Sequence, residues 1–377
     1  MQLMINRIIE KNIIERLFQG KAIIVYGARQ VGKTTLIKQI TARLKDVLWF
    51  NADELQTREL FESQNLSVFK NFVKENSIVV IDEAQRIKNI GLSAKILIDN
   101  FDNIQLILTG SSVINLSNEI QEPLTGRKFE YILYPIAFEE MANYHGTFEE
   151  HKNLDNRLVY GYYPEIVLNL PDAKRRLKEL SDSYLYKDIL ELNKIKKADK
   201  LIKLLQTLAY QIGDLVRYNE VAQNVGLDKE TVEHYIDLLE KNFVIYRLPA
   251  FGKNPRNEIK KSRKIYFYDL GIRNAVINNF SPARSRINEI GKLWENFVIT
   301  ERLKFLSYHE IYAHSYFWRN YNRQEIDYIE ERDGNIYAYE IKWNPKKSKK
   351  LPAAFLKTYP NAVTKTITPE NYMEFIY

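Results

Sequence analysis

The stretch IIVYGARQVGKTTLIKQI, residues 23–40, decides the fold of the N-terminal part. Ile23 to Tyr26 read as a buried strand, and Leu36, Ile37 and Ile40 recur at helical spacing. Between them Gly27, Gly32, Lys33 and Thr34 stand in the order G-x-x-x-x-G-K-T. A strand that turns through glycines into a helix sets a row of main-chain amides at the helix N-terminus, where the dipole favours an anion. This is the phosphate-binding P-loop pattern. Gly27, Ala28, Arg29, Gln30, Val31, Gly32, Lys33, Thr34 and Thr35 are therefore expected to wrap the phosphates of a nucleotide. Lys33 would reach the outer phosphates as a point charge, and Thr34 would offer its hydroxyl to magnesium.

A second signal lies in SIVVIDEAQRI, residues 77–87. A strand apolar throughout suits a parallel sheet covered on both faces. Ligands bind at the carboxyl ends of such strands. Asp82 is expected to hold magnesium together with Thr34, and Glu83 to orient and polarise an attacking water. A third strand, IQLILTGSS (104–112), ends in Thr109, Ser111 and Ser112, which could hydrogen-bond the terminal phosphate or that water. DVLWFNADE (46–54) reads as a further strand. Arg127, in PLTGRKFEYILYPIAFEEM (123–141), precedes another strand. An arginine there could neutralise charge on the terminal phosphate, in its own subunit or a neighbour's.

On YGARQVGKTT, VVIDEAQRI, LILTGSS and LTGRKFEYILYPIAFEE, residues 1–145 resemble the AAA-type ATPases. The resemblance is to the prokaryotic group that carries a C-terminal region of unknown function. It implies an α/β P-loop NTPase domain with a parallel sheet, and ATP and magnesium as cofactors. Lys33, Asp82, Glu83 and Arg127 would be its catalytic residues.

The remaining composition narrows the classes. At 377 residues the chain needs two or three domains. It has no cysteine, which excludes a disulfide framework, a thiolate metal site and thiol chemistry, and fits a reducing cytoplasm. The first residues, MQLMINRIIEKNIIERLF, are too charged for a signal peptide and read as an amphipathic helix along Ile5, Ile8, Ile9, Ile13 and Leu17. No apolar run approaches a membrane span. A net charge of +7 is compatible with nucleic acid without requiring it.

Residues 146–199 read as a helical connector that contains YGYYPEIVLN, similar to a Gly-x-Pro-Glu step of the same group. Residues 200–280 give three helices and a hairpin, the order of a winged helix-turn-helix. Its third helix carries Asp228, Glu230, Glu233, Asp237 and Glu240, a face that duplex phosphates would repel. The basic residues Lys253, Arg256, Lys260, Lys261, Arg263 and Lys264 are read as the wing loop. A winged helix that docks a partner protein or serves regulation is thus the expected reading, with DNA contact through the wing as the alternative.

Residues 281–377 place Glu295 on a helix, Asp327 on a strand, and Glu340 and Lys342 two apart on the next strand, facing one side. This resembles the PD-(D/E)xK nucleases, with Ile326 where a proline is usual. The resemblance implies a small α/β nuclease-like domain whose acids hold magnesium while the lysine steadies water or phosphate. The expected function is magnesium-dependent ATP hydrolysis coupled to these C-terminal parts. The alternatives are an ATP-gated nuclease and a nucleotide-switched DNA- or protein-binding regulator.

Overall fold

A strand with no exposed side chain belongs in the middle of a covered sheet, and a half-exposed one at its edge. In the N-terminal part β1 (Ala22–Tyr26), β3 (Ile78–Asp82) and β4 (Gln105–Gly110) are buried at every position. β2 (Val47–Asn51) and β5 (Lys128–Ile132) are only partly buried. The sheet order β2-β3-β4-β1-β5, parallel throughout, places the three buried strands inside and the other two at the edges. The computed structural model describes residues 5–111, 120, 122–183, 198–252, 263–347 and 351–377. Two units divide the chain: Met1–Pro135 with Lys241–Phe243, and Ile136–Glu240 with Val244–Tyr377.

Helices α1 (Ile9–Glu15), α2 (Lys33–Thr41), α3 (Leu55–Glu62), α4 (Leu66–Phe69) and α5 (Ile90–Asn100) complete the first unit. The insertion of β4 between β1 and β3 sets Gly27, Gly110 and Asp82 at one edge of the sheet. There Tyr26 is level with Gly110 and Ile81 with Leu108. The two loop glycines have separate causes. A Cβ on Gly27 would lie 2.3 Å from the Leu133 carbonyl oxygen, so the crowding comes from the protein's own backbone. Gly32 has φ +97°, a left-handed conformation that side chains disfavour. Arg7, ahead of α1, is buried and clamps the loop from behind. It donates to the Val31 carbonyl at 2.8 Å and the Tyr134 carbonyl at 2.6 Å.

The second unit begins with α6 (Phe138–His145), α7 (Thr147–Lys152), α8 (Leu154–Tyr160), α9 (Pro164–Val167) and α10 (Ala173–Ser183). Next come α11 (Ala198–Tyr210), β6 (Leu215–Val216), α12 (Tyr218–Val225), α13 (Lys229–Lys241), β7 (Ile245–Leu248) and β8 (Arg263–Phe267). These three strands form an antiparallel sheet with β8 in the centre. Gly226, at φ +71°, stops α12, and Asp228 accepts from the Thr231 amide at 2.7 Å at the start of α13. Lys253, Arg256, Lys260 and Lys261 lie outside the described residues. Arg263 and Lys264 are not loop residues: both lie on β8, and Lys264 is 1% exposed. Strand alternation turns Lys264 inward with Tyr266, so its charge is unavailable to a wing.

After α14 (Leu270–Val276) the long α15 (Ile290–Tyr308) packs on a mixed sheet of β9 (His314–Arg319), β10 (Glu325–Arg332), β11 (Asn335–Ile341) and β12 (Val363–Ile367). The β10–β11 hairpin turns at Asp333 and Gly334, both left-handed, as the Asp-Gly pair predicts. β12 adds in parallel to β11, with α16 (Ala353–Thr358) before it and α17 (Met373–Ile376) after it. Arg7→Met should orphan two carbonyls and lower stability by about 1–3 kcal/mol. Urea unfolding of the wild type and variant checks this, and equal midpoints would refute the clamp.

Candidate functional site

At the carboxyl edge of the parallel sheet, hydroxyls and acids form one hydrogen-bonded chain. Thr34 Oγ1 donates to Asp82 Oδ2 at 2.8 Å. Thr109 Oγ1 donates to Asp82 Oδ1 and accepts from the Glu83 amide at 3.1 Å. Ser111 Oγ lies 3.3 Å from the Glu83 carboxylate, and the Gln85 amide donates to both groups. Lys33 Nζ donates to the Gly27 and Ala28 carbonyls, 2.9 Å each, and so curls over the loop that precedes it. Lys33, Asp82, Thr109 and Ser111 are all buried. Glu83 adopts φ +55°, which for a glutamate stores backbone strain of the kind found at functional sites.

Lys33, Thr34, Asp82, Glu83, Thr109 and Ser111 thus come together. Thr109 is wholly buried and spans the two acids, so it positions them rather than facing outward. Ser112 lies outside the described residues. Arg127 is not brought to this site. Its carbonyl accepts from the Ala22 amide where β1 begins, at the sheet edge opposite the loop, and its side chain pairs with Asp99. Five residues of β1 separate the two edges, roughly 16 Å at 3.3 Å per residue. Arg7 and Gln85 escaped the sequence reading. Gln85 follows the acid pair at a turn, which is a weak signal, and nothing local marks Arg7.

A magnesium ion carried with a nucleotide fits the first site. Magnesium takes one or two protein oxygens and completes its shell with phosphate and water. The Thr34 hydroxyl and Asp82 carboxylate converge as such a pair.

The four C-terminal residues also gather. Lys342 Nζ lies 2.7 Å from both Asp327 and Glu340, and Asp327 accepts from the Ile341 amide at 2.8 Å. Glu295 on α15 accepts from Tyr266 at 2.5 Å and from Lys264 at 2.9 Å, and Lys264 also lies 2.6 Å from Glu325. Lys264, Tyr266 and Glu325 were not part of the expected constellation. Burial, and then the charge of Asp327, push the Glu340 carboxyl up to about 7. Burial raises Glu295 as well, against the pull of Lys264.

The comparisons agree with the first site's geometry. Residues 19–142 match an AAA domain family. Residues 151–283 match a domain of unknown function, DUF8612, and residues 290–371 another, DUF4143. An uncharacterized protein of Methanocaldococcus jannaschii is 29% identical over 67% of this chain and 62% of its own length. One of Haemophilus influenzae is 25% identical over 88% of this chain and 86% of its own. Among solved structures, the Pif1 helicase of Candida albicans has 17% identity and TM-score 0.27, covering 47% of this chain and 48% of its own. Drosophila ORC bound to AT-rich DNA and Cdc6 has 12% identity and TM-score 0.25, covering 73% and 93%. At such TM-scores neither likeness carries fold or function across. Residues 19–142 thus match an AAA domain and carry a P-loop, and the chain spans 62% of the length of the first of these relatives. No helix among the described residues is long and apolar enough to cross a membrane.

The raised Glu340 carboxyl has a sign that can be measured. The folded protein keeps a proton that the unfolded chain gives up near 4.5, so this group costs stability as pH rises from there to about 7. Glu340→Gln cannot ionise. Its stability relative to the wild type should rise between about pH 4.5 and about pH 7, read from urea midpoints. Parallel curves would contradict the shift.

Proposed function

We propose that the N-terminal domain binds ATP with magnesium and hydrolyses it. The observation that carries this is the Thr34 hydroxyl set 2.8 Å from Asp82 beside the P-loop lysine. The ion neutralises charge on the phosphates when bound. Lys33 leaves its carbonyl partners for the outer phosphate oxygens. Glu83, held by Ser111 and Gln85 and fixed at its amide by Thr109, orients the water and takes up its proton as the water oxygen bonds to the terminal phosphorus and the bond to the bridging oxygen breaks, releasing ADP and phosphate. Arg127, at the far edge of the sheet, plays no part in its own chain's site. Any role it has is toward a neighbouring subunit.

In this reading the region from α11 to β8 is a winged helix that docks protein rather than reading duplex DNA. Glu230 and Glu233 are exposed on α13, while Arg247 is taken up by Asp237 and Glu240. An ATP-gated nuclease is disfavoured, because its acids are already matched by lysines.

Phosphate release by the full chain tests the proposal. Glu83→Gln should lower turnover about 10²–10⁴-fold with nucleotide binding retained, the range for loss of a general base. Lys33→Ala should lose binding as well. Steady release by Glu83→Gln at the wild-type rate would sink the mechanism. In dilute protein, Arg127→Ala should leave the basal rate unchanged, and a large drop there would restore it to its own site.

A further inference from the structure

The likeness to PD-(D/E)xK nucleases implies a divalent ion on Glu295, Asp327 and Glu340, and the inference here rests on that likeness. The donor set does not fit the ion. Asp327 Oδ2 and Glu340 Oε2 each already accept from the Lys342 ammonium at 2.7 Å. Glu295 Oε1 accepts from the Lys264 ammonium and the Tyr266 hydroxyl. Among the described residues no group of three or more acidic or histidine side chains is arranged to hold a metal. Magnesium needs near-octahedral oxygens and usually keeps several waters. A lysine 1% exposed leaves such a hydrated ion no place without moving its strand.

That strand is pinned. Lys264 lies on the central strand of its sheet, level with Leu215 on one side and Leu248 on the other. Its ammonium, 2.9 Å from Glu295 and 2.6 Å from Glu325, sits 5.6 Å from the Phe317 ring centroid. Burial alone would favour the neutral amine, yet Glu295, Glu325 and Asp327 hold the proton on and raise the group above its ordinary range. Lys264 belongs to the region that matches one family, and all three acids to the region that matches the next.

We infer that Lys264 is a resident cation, supplying the acid cluster with the charge that a metal would supply. The cluster is accordingly closed to divalent ions. It fastens β8 to α15 and β10 and does not cut DNA by metal-assisted hydrolysis. The lysine acts as a lock: only displacement of β8 would free the acids.

Manganese binding to the full chain tests this, without nucleotide and with Asp82→Asn throughout to silence the N-terminal site. With Lys264 present, manganese should neither shift the thermal midpoint nor lose its free-ion electron paramagnetic resonance signal. Lys264→Met should gain binding and an upward midpoint shift, and adding Glu295→Gln should abolish both. Manganese bound with Lys264 in place, and lost on Glu295→Gln, would overturn the resident cation and leave the nuclease likeness standing. A folded Lys264→Met, checked by circular dichroism, that takes no manganese would overturn both. Should Lys264→Met not fold, the arms that keep Lys264 decide: no binding supports the inference, and binding through Glu295 refutes it. Manganese-dependent DNA cutting lost on Lys342→Ala would also refute it.

Discussion

The N-terminal domain turns on the Asp82 carboxylate, which is gripped from two sides by hydroxyls. Thr34 reaches it from the first turn of α2, and Thr109 from the end of β4. Those contacts exist because β4 lies between β1 and β3 in the sheet. Were β4 not paired with β3, Thr109 would have no acid to bridge. The same hydroxyl accepts the Glu83 amide and helps hold that residue in its left-handed backbone conformation. One threonine thus sets the position of one acid and the backbone of the next.

The first site was largely legible because its signals are local. A glycine-lysine-threonine run after an apolar strand, and an acid pair closing another, need only a few consecutive residues each. What escaped was long-range or hidden in composition. Arg7 meets Tyr134 across 127 positions, and no periodicity announces that contact. Arg127 precedes a strand as expected. Its distance from the phosphate loop follows from the parallel pairing of β5 with β1, which puts strand starts and strand ends at opposite edges. Lys264 stood among basic residues and read as solvated. The clue was the Lys-x-Tyr alternation at Lys264 and Tyr266, both of which face Glu295. The Asp327 to Lys342 hairpin was legible from its Asp-Gly turn, whereas the partners of its acids come from other elements.

In the second unit α15 is the organising element. Glu295, Asn296, Glu301, Arg302 and Lys304 lie on several sides of the helix. Each finds its own partner: the Lys264 ammonium, the Phe267 backbone, the Phe138 amide, the Glu330 carboxylate and the Ile136 carbonyl. A helix that is polar and apolar by turns and still buried on most sides cannot be placed by an apolar stripe alone. Buried charge pairs add little net stability, because desolvation offsets their attraction, but a helix shifted by one residue would leave every one of them unmatched. The register of α15, and with it the position of Glu295, follows from that requirement.

The two acid sites of this chain differ in their counter-charge, and that difference separates their chemistry. Around Asp82 the bonds from side chains are given by neutral hydroxyls, which orient the carboxylate and leave its charge uncancelled for a dication arriving with phosphate. Around Asp327, Glu340 and Glu295 the donors include ammonium groups at 2.7 to 2.9 Å. A cation arriving there would have to displace a like charge already bonded, besides shedding its water. Carboxylates on adjacent strands or at strand ends are therefore too coarse a criterion for a metal centre. On the reading proposed here, hydroxyls around the acids mark the place for magnesium and ammoniums close the other site to it.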